Sequence, residues 1–322
     1  MKVLVAGGAG FIGTHLCARL LEDGHTVTCV DNMITGSESN VAPLRGNSRF
    51  SLLRQDVCEA FPFTADAVLH LASPASPIGY WTHPFETIRV NTVGTTHLLE
   101  GARRCGATFL MASTSEAYGD PLVHPQTEDY FGNVNPTGPR ACYDESKRLG
   151  ETITMEYRRQ YGLDARIVRI FNTYGPNSQL HDGRMIPNFI MQALAGEPLT
   201  IHGDGSQTRS ICYVDDLVDG LMRAIFTSGT AGEIINLGNP DERTVREWAE
   251  LIIRLTGSRS TLLFEPKRED DPERRQPNIT RARRLLGWEP RVSPEQGLAR
   301  AITWFQHESE RIAACPPPAV IR

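Results

Sequence analysis

The chain opens Met1-Lys2-Val3-Leu4-Val5-Ala6-Gly7-Gly8-Ala9-Gly10-Phe11-Ile12-Gly13, and this stretch decides the fold. Residues 2–6 form a short apolar run suited to a strand buried on both faces, while Phe11, His15, Leu16 and Leu20 keep the three-to-four spacing of a helix. Between them stand Gly7, Gly10 and Gly13. Missing side chains let the backbone approach a pyrophosphate, whose charge is met by amide groups at the helix N-terminus. A strand, a glycine loop and a helix in this order point to a dinucleotide cradle.

The same alternation continues downstream. Residues 26–30, 67–71, 108–112 and 166–170 read as further buried strands, and Val90, Val93, Leu98 and Leu99 repeat the helical spacing. Strands that alternate with helices imply a parallel sheet covered on both faces, hence an α/β, doubly wound Rossmann fold. After Asn172 the pattern loses regularity, with punctuation at Gly175-Pro176, Gly203-Asp204-Gly205 and Asn239-Pro240. A smaller, discontinuous C-terminal substrate lobe is expected there. The anticipated division is 1–174 with 211–239 for the dinucleotide-binding domain, 175–210 with 240–314 for the lobe, and 315–322 for a tail. In that tail Pro316-Pro317-Pro318 cannot extend a helix.

Composition narrows the class. Over 322 residues the net charge is −5, which argues against a nucleic-acid partner, since phosphate backbones require a basic face. No stretch approaches the roughly 20 apolar residues of a membrane span. Cys17, Cys29, Cys58, Cys105, Cys142, Cys212 and Cys315 are scattered and form no CxxC pair. That usage suits reduced thiols in a cytoplasmic protein and predicts neither a disulfide framework nor a metal site.

Asp31 closes the second strand, 18 residues past Gly13, where a carboxylate accepts hydrogen bonds from the adenosine ribose and repels a 2′-phosphate; NAD is therefore expected over NADP. Asn32, beside it, and Asp56-Val57, beyond a third strand, are expected near the adenosine, although an isolated loop Asp also accounts for Asp56. Tyr143 and Lys147 are four apart, on one face of a helix, so the ammonium can stand beside the phenol. Its charge, reinforced by an oxidised nicotinamide, is expected to lower the phenol pKa from about 10 and make Tyr143 a base. Thr114 follows the apolar run 108–112 at the carboxyl edge of the sheet, where its hydroxyl can meet a reacting oxygen.

Beyond these residues, Leu71-Ala72-Ser73-Pro74-Ala75-Ser76-Pro77, Ala112-Ser113-Thr114-Ser115-Glu116-Ala117-Tyr118-Gly119, Cys142-Tyr143-Asp144-Glu145-Ser146-Lys147-Arg148 and Phe171-Asn172-Thr173-Tyr174-Gly175-Pro176 extend the pattern. So do Gln207-Thr208-Arg209, Tyr213-Val214-Asp215-Asp216, Asn236-Leu237-Gly238-Asn239-Pro240 and Leu286-Gly287-Trp288-Glu289-Pro290. Together they resemble the extended short-chain dehydrogenases/reductases that modify nucleotide sugars, and within them the UDP-glucuronate decarboxylase (UDP-xylose synthase) family. The resemblance implies an NAD cofactor contacting Leu71 and Ala72 as well, and a catalytic set of Thr114, Ser115, Glu116, Tyr143, Lys147 and Arg209. It implies substrate contacts from Asn172, Asn188, Arg209, Tyr213 and Arg275. A homodimer is implied too, built on helices within 84–104 and 143–161.

The chemistry implied is oxidation of UDP-glucuronate at C4, loss of carbon dioxide from the resulting 4-keto acid, and reduction to UDP-xylose, with the 4-keto pentose as an early release product. Dehydratase relatives carry Asp-Glu after the threonine; Ser115-Glu116 stands here, and a serine hydroxyl is too weak an acid to expel a hydroxyl. A UDP-glucuronate 4-epimerase and a catalytically silent NAD-binding regulator remain as alternatives. Glu116 also suits an ordinary helix start. Four departures from the family pattern fall in or near the substrate side: Asn278 after Arg275-Gln276-Pro277, Ser210-Ile211-Cys212, Ser146 and Pro187.

Overall fold

Along the strand Lys2–Ala6, Val3 and Val5 turn to one side and Leu4 and Ala6 to the other, and all four are buried. A strand covered on both faces has to sit inside a sheet with helices above and below it. In the computed structural model, which describes residues 1–267 and 272–314, that sheet has seven strands. Their order is Ile234–Leu237, Ala165–Ile170, Thr108–Thr114, Ala67–His70, Lys2–Ala6, Thr26–Asp31 and Phe50–Arg54, all parallel. The expected tail 315–322, with Cys315, lies outside the described residues.

The helices Phe11–Glu22 and Val214–Phe226 cover one face, where Leu16, Leu20, Leu217 and Leu221 join Val3, Val5 and Leu110. On the other face, Leu98 and Leu99 of the helix Thr95–Cys105 meet Leu4, Val68, Phe109 and Ile167. The first core continues through Ile186, Phe189, Trp248, Leu251, Leu298 and Phe305, so the C-terminal helices Met185–Ala195, Val245–Thr256 and Pro294–Ala314 share it. Among these later segments, Leu199–His202 pairs with Leu262–Glu265 and Thr208–Ser210 with Glu242–Thr244.

Two differences from the sequence reading bear on the site. The run 108–112 extends to Thr108–Thr114, making Thr114 the last residue of the strand. The edge strand Ile234–Leu237 is hidden in sequence by Asn236, which is wholly buried because its amide accepts from the Tyr118 hydroxyl (2.7 Å) and donates to the Gln126 carbonyl (3.0 Å). The order of the sheet reverses between Lys2–Ala6 and Ala67–His70, and a doubly wound sheet opens its binding crevice at the carboxyl ends of such a pair. Gly7 and Leu71 stand at those two ends.

Candidate active site

Two adjoining cavities open at this edge and share Gly7, Gly10, Thr35, Leu71 and Ser73. The larger, about 910 Å³, runs from Gly10, Phe11, Ile12 and Gly13 past Thr114, Tyr143 and Lys147 to Asn172, Asn188, Arg209 and Arg275. The smaller, about 80 Å³, is bounded by Asp31, Asn32, Asp56, Val57 and Ala72. Gly7 adopts φ +80°, and a Cβ there would lie 2.6 Å from the Ala72 nitrogen. The helix Phe11–Glu22 has no side-chain cap at Gly10, so its first-turn amides are left for an anion in the cavity. These features fit NAD: a bare, amide-rich passage for the pyrophosphate, leading to a carboxylate at the end of the second strand.

Asp31 does more than border the adenosine end. Its Oδ2 accepts from the Ala9 amide (3.0 Å) and its Oδ1 from the Met33 amide (2.9 Å), tying the glycine loop to the second strand. Burial pushes its pKa up, and the two amides pull against that rise. Asp31→Ala is therefore expected to weaken NAD binding itself as well as the preference for NAD over NADP. Calorimetric titration with both cofactors measures it, and unchanged affinities for both would exclude this role. Asp56 accepts from Asn32 (3.2 Å) and from the Cys58 amide (2.8 Å), which shapes the opposite wall.

At the other end of the passage, Thr114 accepts from the Glu116 amide (3.2 Å) and hydrogen-bonds the Tyr143 phenol. Tyr143 and Lys147 occupy one face of the helix Ala141–Tyr161, with Nζ 6.0 Å from the phenol ring centroid. Nζ donates to the Ala112 carbonyl (2.8 Å), and the Tyr143 ring stacks on Tyr80 with centroids 5.3 Å apart. The grouping read from sequence is present, and the protein's own groups alone do not lower the phenol pKa. Burial pushes Tyr143 up to about 12 against the Thr114 hydrogen bond, and pushes Lys147 down to about 7 against Glu151. Leaving water disfavours phenolate and ammonium alike, so the protein alone does not ionise the phenol.

Glu116 is held by two guanidiniums. The Arg275 fork donates to both its oxygens, one bond at 2.9 Å, and Arg140 donates to Oε2. Burial would raise its pKa, but Arg140, Arg275 and Arg209 outweigh that and bring it down to about 2. Arg275 thus meets Glu116 at the cavity wall.

Two expected residues do not reach the cavity. Ser115 is buried in the short turn Ser115–Tyr118 and is absent from the lining, so its place beside Thr114 in sequence does not carry into the site. Tyr213 is buried against Tyr174, with the Arg300 guanidinium over its ring, because the pairing of Cys212–Tyr213 with Thr173–Tyr174 turns it into the core. The sequence reading missed Tyr80, Arg140 and Arg184, which line the cavity. Arg140 does leave a signal: a cation immediately before a helix opposes the helix dipole and needs a carboxylate nearby.

Residues 3–238 match the model of the NAD dependent epimerase/dehydratase family. The chain is 51% identical over 312 residues to UDP-glucuronic acid decarboxylase 1 of Danio rerio, covering 97% of this chain and 74% of that protein. It is 50% identical over 306 residues to UDP-glucuronic acid decarboxylase 2 of Arabidopsis thaliana, covering 95% and 68%. Among solved structures, UDP-glucuronic acid 4-epimerase from Bacillus cereus in complex with UDP-glucuronic acid and NAD superposes with a TM-score of 0.85 at 30% identity, over 96% of this chain and 100% of that one. Glycine cradle, Thr114, Tyr143 and Lys147 therefore sit in a chain that belongs to the NAD-dependent epimerase/dehydratase family, among its UDP-glucuronic acid decarboxylases.

Proposed function

We propose that this chain is an NAD-dependent decarboxylase that converts UDP-glucuronate to UDP-xylose, releasing UDP-4-keto-xylose whenever the sugar leaves before reduction. The observation that carries the reading is Glu116, a carboxylate clasped by two arginines beside Thr114, Tyr143 and Lys147. An epimerase moves only one proton and a hydride and has no use for such a group.

NAD, when bound, supplies the acceptor for the C4 hydrogen and the positive charge that the phenol lacks. Tyr143 removes the 4-hydroxyl proton and Thr114 holds the oxygen it leaves. The C4 ketone then lies β to the carboxylate, so the C5–C6 bond breaks, carbon dioxide departs, and the electron pair collects in a C4–C5 enolate. Protonation at C5 completes the loss, with Glu116 handling that proton or a water beside it. The C4 ketone is then reduced by return of the same hydride while Tyr143 gives its proton back to the oxygen. Arg209 suits the diphosphate, because a guanidinium makes paired, charge-assisted hydrogen bonds, and Arg275 joins it by releasing Glu116. Asn172 and Asn188, also on the lining, hold the nucleotide.

In this reading residues 1–174 with 211–239 carry the cofactor and 175–210 with 240–314 the sugar nucleotide. The chain pairs as a homodimer through Phe85, Ile88, Leu149 and Tyr161, apolar side chains exposed on the helices Pro84–Arg89 and Ala141–Tyr161. All six described cysteines are free thiols, which suits the cytoplasm, and no helix among the described residues is long and apolar enough to cross a membrane.

Incubation with UDP-glucuronate, with and without added NAD⁺, followed by mass analysis and absorbance of reduced cofactor, tests the function. A product lighter by carbon dioxide is expected. An isomer of unchanged mass would make the chain a 4-epimerase, and no conversion with any nucleotide sugar would leave a silent binder.

A further inference from the structure

Glu116 presents a difficulty for the chemistry just proposed. A carboxylate whose pKa lies at about 2 holds almost no proton at neutral pH and accepts one poorly. With Arg275 turned to the diphosphate, Arg140 is the remaining clasp that has to loosen before Glu116 can serve C5. The neighbourhood contains a second buried carboxyl group that the mechanism leaves unused. Asp144 is 7% exposed, its Oδ2 lies 3.8 Å from Nε of Arg140, and its Oδ1 has no hydrogen-bond partner among the described residues. Arg140 therefore stands between two carboxyl groups, with Glu116 on one nitrogen and Asp144 approaching another.

We infer that Asp144 is a positioning residue that governs Glu116 through Arg140: while Asp144 carries a proton the guanidinium stays on Glu116, and when it loses that proton the guanidinium is drawn to Asp144 and Glu116 becomes able to take up and deliver the C5 proton. The inference rests on the role given to Glu116 above. Its electrostatics follow from what surrounds Asp144. Burial raises its pKa first, and the Glu116 charge on the neighbouring turn raises it further. Arg140 on its own helix and Arg275 from the C-terminal segment oppose the rise, and Glu145 adds to it, leaving Asp144 at about 7. The phenols of Tyr80 and Tyr143 and the Cys142 thiol also face it, each raised by burial and so neutral in this range. Asp144 thus keeps its proton to higher pH than an ordinary carboxyl group, and proton delivery to C5 should rise as pH climbs and that proton is lost.

Lys147, lowered by burial to about 7, titrates in the same range with the opposite consequence, since it loses its charge as pH rises. The two are separated by what is measured. Appearance of reduced cofactor reports hydride removal and follows Lys147. Deuterium entering C5 in D₂O, followed in a single turnover relative to the sugar already oxidised, reports the Glu116 step and follows Asp144.

Both rates are to be measured across the neutral range with UDP-glucuronate for wild type, Asp144→Asn, Arg140→Gln and Glu116→Gln. Asp144→Asn is expected to slow C5 deuteration about tenfold on the alkaline side and flatten its pH dependence. That is well short of the about 10²-fold or more for losing a proton-transferring group outright. Cofactor reduction should keep its neutral-range profile, set by Lys147, even though removing the Asp144 charge eases ionisation of the Tyr143 phenol. Arg140→Gln removes the shared guanidinium and should flatten the C5 profile as well, which keeps the test intact if Asp144→Asn does not fold. An Asp in a first helical turn can be purely structural. In that case Asp144→Asn would lower both rates in parallel with their pH profiles kept, and that result overturns the inference. Wild-type C5 deuteration in Glu116→Gln would instead remove the role of Glu116 itself. Loss of deuteration in Glu116→Gln, with wild-type pH dependence in the Asp144 and Arg140 variants, would spare that role and reject only the coupling.

Discussion

Tyr143→Phe is expected to lose activity by about 10²- to 10⁴-fold while binding NAD nearly as the wild type does. Only the hydroxyl disappears. The ring keeps its place against Tyr80, and the hydrogen bond to Thr114 is removed from the reacting oxygen's position. Without that oxygen the two nearest ionisable groups at the cavity are poorly placed to take the sugar proton. Lys147 is directed to the Ala112 carbonyl, and Glu116 is engaged by Arg140 and Arg275. Cofactor titration and the rate of NADH formation with UDP-glucuronate decide the matter. Near-normal turnover by the phenylalanine variant would remove Tyr143 from the chemistry. Because the phenol sits at about 12, the neutral-pH limb of hydride removal in the wild type should reflect Lys147, protonated below about 7 and neutral above it. Activity in the oxidation half is accordingly expected to fall as pH climbs through that value.

The second large effect is expected from Gly13→Ala. A Cβ on Gly13 would stand 2.1 Å from the Gly7 carbonyl oxygen and 2.7 Å from the Gly8 Cα, both backbone atoms that no rotamer change can move. The helix Phe11–Glu22 would have to lift off the loop beneath it. Overpacking of this kind costs about 1–3 kcal/mol, and more where backbone must shift. The same displacement pulls the first-turn amides away from the pyrophosphate position, so NAD affinity should collapse along with a lowered melting temperature. Thermal unfolding with and without NAD measures both. A variant with wild-type melting and wild-type stabilisation by NAD would show that the close approach of helix and loop is dispensable.

Gly13 and Tyr143 are also the residues whose roles are most legible in the amino-acid order, because both act through neighbours a few positions away. A glycine six residues after Gly7 falls at the crossing of loop and helix, and a lysine four residues after Tyr143 falls on the same helical face. Asp31 is legible for a similar reason, since a strand of six residues delivers its last side chain to the edge of the sheet. Glu116 is legible through resemblance, but neither of its partners is. Arg140 is 24 residues away and Arg275 is 159, on a segment whose approach depends on the whole C-terminal lobe. Ser115 and Tyr213 mislead in the opposite sense: each adjoins a functional or family motif in the chain, yet local turns and strand pairing direct them into the protein.

What the amino-acid order determined by itself was therefore the periodic part: a parallel sheet, a glycine cradle at the end of its first strand, and a Tyr-Lys pair on one helix. Short-range backbone geometry is enough to set those. The tertiary structure alone decided which charges are paired and which groups are dry, and with that the ionisation of Tyr143, Lys147, Glu116 and Asp144. Proton affinity depends on distance to water and to distant charges, quantities that come into being only when remote segments meet.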